Sequence, residues 1–182
     1  AGNGQAPTTN RLTFVISVAV ASALERFLPV GSPRVKIKWP NDLCIDQRKI
    51  AGVLVETTSN RAGLRVAIIG VGINVGLRPD QMPLDIRQKA TSLAMCGADV
   101  DRLAVLAAVT VAIDQALAHG DEDQLLAQWR ARCTMLHQRV RLERDGRVTE
   151  GQVMDLDPHL GLILRTSWGA VVHLPAETTT VL

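Results

Sequence analysis

Between Lys36 and Gly52 the chain reads KIKWPNDLCIDQRKIAG. Lys38, Asn41 and Asp42 put a cation, an amide and a carboxylate next to Trp39-Pro40, a rigid corner that fixes the direction in which the chain leaves. That set suits a nucleotide phosphate with its Mg2+: cation and amide for the phosphate oxygens, carboxylate for the metal. Further on, Lys49 in RKIAG offers three donors and a positive charge to an anion, at a point where Gly52 permits close backbone approach. The two halves together make a site for a carboxylate and a phosphate. For an arbitrary sequence the plainer reading is a solvated lysine face ending in a Pro-Asn turn.

The other stretch with chemical promise is IIGVGINVG. Gly70, Gly72 and Gly76 give G-x-G-x-x-x-G, and Pro79 and Pro83 follow where a dinucleotide-binding loop would open a helix. A phosphate cradle of that type needs the helix N-terminus, so a Rossmann site is disfavoured. The glycines let the backbone pass close to a neighbouring strand or a ligand, and packing alone explains them about as well. Packing explains Asn74, a polar side chain at the strand's end, less well.

These residues need elements to hold them. Leu12, Val15, Ile16, Ala19, Val20, Ala23, Leu24 and Phe27 recur with helical period, which predicts an amphipathic helix with Thr9 or Asn10 as N-cap. RVKIKW alternates strictly, setting Val35, Ile37 and Trp39 on one face and Lys36 and Lys38 on the other. LCI and IAGVLVET flank DQRK as a hairpin, and LRVAIIGVGINV follows as a long apolar strand. With short turns and no helix between them, these strands pair in an antiparallel or mixed sheet. GLRPDQMPLDIRQ reads as a loop. Asp99 or Asp101 then caps a helix through Leu103, Leu106, Thr110, Ile113 and Leu117 that closes at His119-Gly120, and DEDQLLAQWRARC forms a shorter one whose acidic first turn suits the helix dipole. From Gln138 onward short strands alternate with turns at Asp145-Gly146, DPHLG and SWG, the pattern of a small β barrel or sandwich.

Composition narrows the function class. A net charge of +2 with interspersed signs argues against a nonspecific nucleic-acid or membrane surface. LTFVISVAVASALERF is interrupted by Ser17, Ser22, Glu25 and Arg26, so it reads as a helix of a soluble protein rather than a membrane span. Three scattered cysteines, at 44, 96 and 133, without a C-x-x-C, imply free thiols in a reducing cytoplasm and no structural zinc. With 3% aromatics the core is built of Val, Ile, Leu and Ala, and Trp39 reads as an anchor within it. Trp129, His119, His137, His159 and His173 have no partner pattern and read as structural or surface residues.

VKIKWPNDLCIDQRKIAGVLVE, then IIGVGINV, then ATSL at 90–93 and a small C-terminal barrel closely resemble the biotin protein ligases, in order from Leu12 to Leu182. The resemblance implies an α+β chain: residues 1–134 with the biotin/lipoate ligase fold, a mixed sheet flanked by helices and related to class II aminoacyl-tRNA synthetases. Residues 135–182 would form a Src-homology-3-like barrel. It implies ATP-dependent activation of biotin to biotinyl-5′-AMP with Mg2+, then transfer to a lysine of a biotin carboxyl carrier protein. Carried over by position, Lys49 contacts the biotin carboxylate and the α-phosphate. Lys38, Asn41, Asp42 and Asn74 serve the nucleotide, Asp42 also holds the metal and deprotonates the acceptor lysine, and Gly52 and Leu54 line the biotin pocket. A homodimer fits this picture; DNA and membrane partners do not.

The family's Gly-Arg-Gly-Arg-type lid loop has no counterpart here, since AGNGQ carries no arginine and ten residues cannot supply the strands that precede the lid. The expectation is therefore a ligase whose activity as this chain alone is doubtful. Its alternative is a noncatalytic, ligase-like binding or regulatory protein, and a lipoate or other acyl ligase is disfavoured by K-W-P-N-D and the barrel.

Overall fold

The computed structural model describes residues 8–182. A first helix, α1 (Thr9–Glu25), is followed by four strands, β1 (Lys36–Lys38), β2 (Asp42–Ile45), β3 (Arg48–Ser59) and β4 (Arg65–Ile73), which pair in sequence order. Every ladder is antiparallel; the parallel component of the expected mixed sheet is confined to two isolated bridges, Ile37 to Cys133 and Lys49 to Ala90. The turn between β2 and β3 places both Asp46 and Gln47 at positive φ, the two-residue geometry that matches strand twist.

After β4 come a short helix α2 (Leu84–Arg87), the longer α3 (Arg102–His119) and α4 (Glu122–Arg132). A second, five-stranded antiparallel sheet closes the chain: β5 (Arg139–Arg144), β6 (Arg147–Asp157), β7 (Gly161–Thr166), β8 (Val171–Leu174) and β9 (Thr179–Val181), in the order β8-β7-β6-β5-β9. Asp145 and Gly146, both at positive φ, make the expected tight hairpin between β5 and β6.

Two expectations about helices are corrected. α1 is not amphipathic, because Thr13, Phe14, Ser17, Val18 and Ala21 are buried along with the periodic residues, and its N-cap is Thr8, whose hydroxyl accepts from the Arg11 amide. One side of α1 packs on the first sheet at Leu43, Ile50 and Val53, together with Val35 and with Val105 of α3. The other packs Phe14, Val15 and Val18 against Trp39, Trp129 and the inner face of the second sheet at Leu142, Val153, Leu162 and Leu164. A helix between two layers has no solvent stripe.

α3 starts where expected, with the Asp101 carboxylate accepting from the Leu103 amide. Its buried residues are Val105 and Val109, whereas Leu103 is 70% and Leu106 61% exposed. Its terminal Gly120 is not left-handed; a Cβ there would lie 2.3 Å from the Ala116 carbonyl oxygen, so the glycine serves close approach. With a mean hydropathy of 1.3, α3 is long and apolar enough to cross a membrane by composition, yet Val105 and Val109 belong to the core around α1.

Candidate active site

Lys38, Asp42, Gly52 and Gly72 are successive Cα partners from β1 to β4. Cross-strand partners project to the same face, so this row traverses the whole first sheet, on the side away from α1. The next row pairs Leu54 with Gly70, and the one after it Glu56 with Ile68. Gly72 and Gly76 have nothing within 4 Å of an added Cβ, and Gly70 only Leu54 at 3.8 Å or more. No neighbouring strand requires these glycines; what they leave is a shallow trough. Leu54 and Ile68, 57% and 58% exposed, form its apolar border.

Lys49 reaches this face through an irregularity. The ladder steps from Leu43↔Ala51 to Cys44↔Lys49, leaving Ile50 as an extra residue on β3, and Ile50 and Ala51 are both buried. Such a bulge re-aims the side chains beyond it. The backbone partner of Lys49 is thus Cys44, yet its ammonium lies across Gly52 and pairs with the Asp42 carboxylate. A Cβ on Gly52 would stand 3.2 Å from both Cε and Nζ of Lys49 and 3.7 Å from Asp42 Oδ1. The glycine is the space in which the lysine tail lies.

The backbone beneath Lys49 is held from outside the hairpin. Its amide donates to the Lys89 carbonyl at 2.8 Å, and its carbonyl accepts from the Thr91 amide at 2.8 Å. Thr91 and Ser92 are fully buried, and Ser92 Oγ donates to the Leu77 carbonyl at 2.6 Å. ATSL is therefore a polar brace between the start of β3 and the segment after β4. Asn74 closes it: its Nδ2 donates to the carbonyls of Thr91 at 2.9 Å and Lys49 at 3.4 Å. The amide of Asn74 is thus bonded to the floor of the site.

The Trp39-Pro40 peptide is cis, and Trp39 is 3% exposed in the core shared with the second sheet. That anchoring leads the chain from Lys38 on β1 into Asn41, whose carbonyl accepts from the Val53 amide at 2.9 Å. Cys44 is buried in the floor: burial pushes its thiol up and Asp42 adds to this, while Lys38 and Lys49 oppose it.

The structure therefore gathers Lys38, Asp42, Lys49, Gly52 and Leu54 on one face, with Asn41 at its turn and Asn74 beneath. Sequence reasoning missed Ile68 and the Lys49–Asp42 pair. No letter pattern signals the latter, because Ile50 to Val55 contains no polar residue and the bulge shows only in the pairing of β2 with β3. The four histidines do not converge, and among the described residues no group of three His, Cys, Asp or Glu could hold a metal ion. AGNGQ, the place of the expected lid comparison, lies outside the described residues.

Residues 3–74 match the model of the Biotin/lipoate A/B protein ligase family. The chain is 28% identical over 166 residues to the bifunctional ligase/repressor BirA of Bacillus subtilis, covering 88% of this chain and 50% of that protein. It is 30% identical over 174 residues to the biotin--[acetyl-CoA-carboxylase] ligase of Mycobacterium tuberculosis, covering 90% and 62% respectively. The chain thus spans about half to three-fifths of the length of these two relatives. Among solved structures, the Aquifex aeolicus biotin protein ligase superposes with a TM-score of 0.80 at 25% identity, over 96% of this chain and 75% of that one. The same enzyme in complex with biotin and ATP superposes at 0.77, also at 25% identity, over 94% and 71%.

Proposed function

The chain belongs to the biotin/lipoate A/B protein ligase family, and from that premise we propose that it forms the floor of a biotin protein ligase. The reaction is activation of biotin by ATP to biotinyl-5′-AMP and transfer to a lysine of a biotin carboxyl carrier protein. The observation that carries this reading is the row from Lys38 to Gly72, with Lys49 turned onto it by the bulge.

Biotin lies along the glycine trough against Leu54, its carboxylate toward Lys49. Two anions must meet in the first step, as a carboxylate oxygen attacks the α-phosphorus and pyrophosphate departs. An ammonium aimed between them lowers that barrier by neutralising charge in place, which is the larger part of what such a site can contribute. Asp42 keeps Lys49 aimed across Gly52 before substrates arrive, and Lys38 and Asn41 lie along the nucleotide. Mg2+ bound with ATP would supply charge neutralisation for the departing pyrophosphate, and Asp42 would be the residue that holds it. One carboxylate, Asp42, fits a Mg2+ whose other ligands are phosphate oxygens and water. In the second step the acceptor amine attacks the acyl carbon, AMP leaves, and Asp42 takes the amine's proton.

Finer features follow from the same reading: kinship of the first sheet and its helices with class II aminoacyl-tRNA synthetases, a Src-homology-3-like second sheet beginning near residue 135, a cytoplasmic location and a homodimeric assembly. The test is biotin-dependent exchange of pyrophosphate into ATP by the encoded protein. Lys49→Ala should lower it about 10²- to 10³-fold, the usual cost of removing one transition-state donor. Undiminished exchange in that variant would remove Lys49 from the role.

A further inference from the structure

The outward face of the second sheet carries charge that the ligase reaction does not use. Arg139 on β5, Gln152 on β6 and Arg165 on β7 are register partners in one row across three strands, and Arg141 and Glu150 form the adjoining pair. All five are exposed and line, with Ser167, a concave cavity of about 260 Å3. Glu150 is satisfied locally, accepting from Arg141 Nε at 2.8 Å. Gln152 is oriented by donating its side-chain amide to the His137 carbonyl at 2.9 Å. Arg139 and Arg165 have no carboxylate partner among the described residues.

Close approach of the strands is built in here. A Cβ on Gly151 would stand 2.4 Å from the Arg165 carbonyl oxygen, so the glycine lets β6 lie against β7 and fixes the row's spacing. Two strand intervals separate the backbones of Arg139 and Arg165, roughly 10 Å. Two forked cations at that separation match two carboxylates a few residues apart on one polypeptide, since guanidinium takes carboxylate bidentately.

We propose that this face is the docking surface for an acidic segment of the protein acceptor, with Arg139 and Arg165 as its two anchors. The proposal rests on the ligase reading, because that reaction is the one that requires a second protein. An electrostatic landing site of this kind acts on encounter with the acceptor and leaves the chemistry at Lys49 untouched.

The test is the charge-reversed double variant Arg139→Glu/Arg165→Glu in the encoded protein, with a recombinant biotin carboxyl carrier domain as the acceptor probe. The KM for the carrier domain should rise tenfold or more and lose much of its dependence on salt, while pyrophosphate exchange and the KM for biotin stay at wild-type values. Poly-L-glutamate should compete with the carrier domain in the wild type and not in the variant. An unchanged carrier KM with exchange intact would overturn the docking surface. Absence of exchange in the wild type would instead overturn the ligase reading.

Discussion

Gly52 offers the sharpest test of how the site is assembled, because its effect on activity and its effect on stability should separate. In Gly52→Ala the new Cβ stands 3.2 Å from Lys49 Cε and Nζ. Ordinary contact is about 3.5–4.0 Å, so the lysine tail must retreat by roughly 0.3–0.8 Å. The tail can do this cheaply, since half of the side chain is exposed and its end is flexible. Replacing a mid-strand glycine by alanine also returns about 0.5–1 kcal/mol of chain entropy, so Tm should stay within a few degrees of wild type or rise. The ammonium, however, no longer lies where it did. If a misplacement of about 1 Å costs about 10²-fold, the alanine variant should lose about tenfold in pyrophosphate exchange. Gly52→Val, which drives the tail further, should lose about a hundredfold. Exchange rates and thermal unfolding would be measured on the same preparations. Near-normal exchange by a folded Gly52→Val protein would refute the idea that this glycine positions Lys49. So would a loss of exchange that merely follows a collapse of Tm.

Leu54→Ala should leave Tm nearly unchanged, because the side chain is exposed, but raise the KM for biotin about tenfold through lost apolar contact of about 1–2 kcal/mol; an unchanged KM would take Leu54 out of the pocket. Arg132 is a buried guanidinium that donates to Glu25 at 2.9 Å and to Ser22 at 3.3 Å, so Arg132→Ala should cost about 3 kcal/mol in denaturant unfolding. Arg132→Lys should recover part of this. At Asp155, partial burial pushes the carboxyl up, but the Arg130 hydrogen bonds, the Leu156 amide and nearby positive charge outweigh it and hold the carboxyl below its usual range. A depressed folded-state value means stability that is present above the unfolded carboxylate range near pH 3.9 and lost as pH falls through the folded value. Asp155→Asn should therefore be less stable than wild type by about 0.5–1 kcal/mol near neutrality, with the two unfolding curves converging under acid; a constant gap down to low pH would contradict this.

The letters around Trp39 carried most of the site because strand alternation is local: Ile37 and Trp39 face inward and Lys38 outward for reasons contained in six residues. The turns at Asp46-Gln47 and Asp145-Gly146 are local in the same sense. What periodicity does not reveal is the partner. Leu103, Leu106 and Leu117 mark an apolar stripe on α3, yet the buried residues are Val105 and Val109, because helix orientation is settled by α1 and not by α3 itself. Likewise α1 hides its second apolar side within its own pattern, since the sheet that covers it begins more than a hundred residues later. Asn74 was visible as an anomaly, but its work on the carbonyls of Lys49 and Thr91 depends on a chain reversal that no short window contains.

The core shared by α1, Trp39, Trp129 and the second sheet also sets a schedule for synthesis. Phe14 and Val18 leave the ribosome roughly 150 residues ahead of Leu162, Leu164 and Leu174, which cover them. At about 5–20 residues per second the interval is roughly seven to thirty seconds. During that time Trp39, and with it the corner that leads to Asp42, lacks its packing against the second sheet. The nascent chain must keep this apolar surface from other chains until β7 and β8 emerge, so its yield should depend on chaperone supply and on translation speed through the codons for β5 to β8.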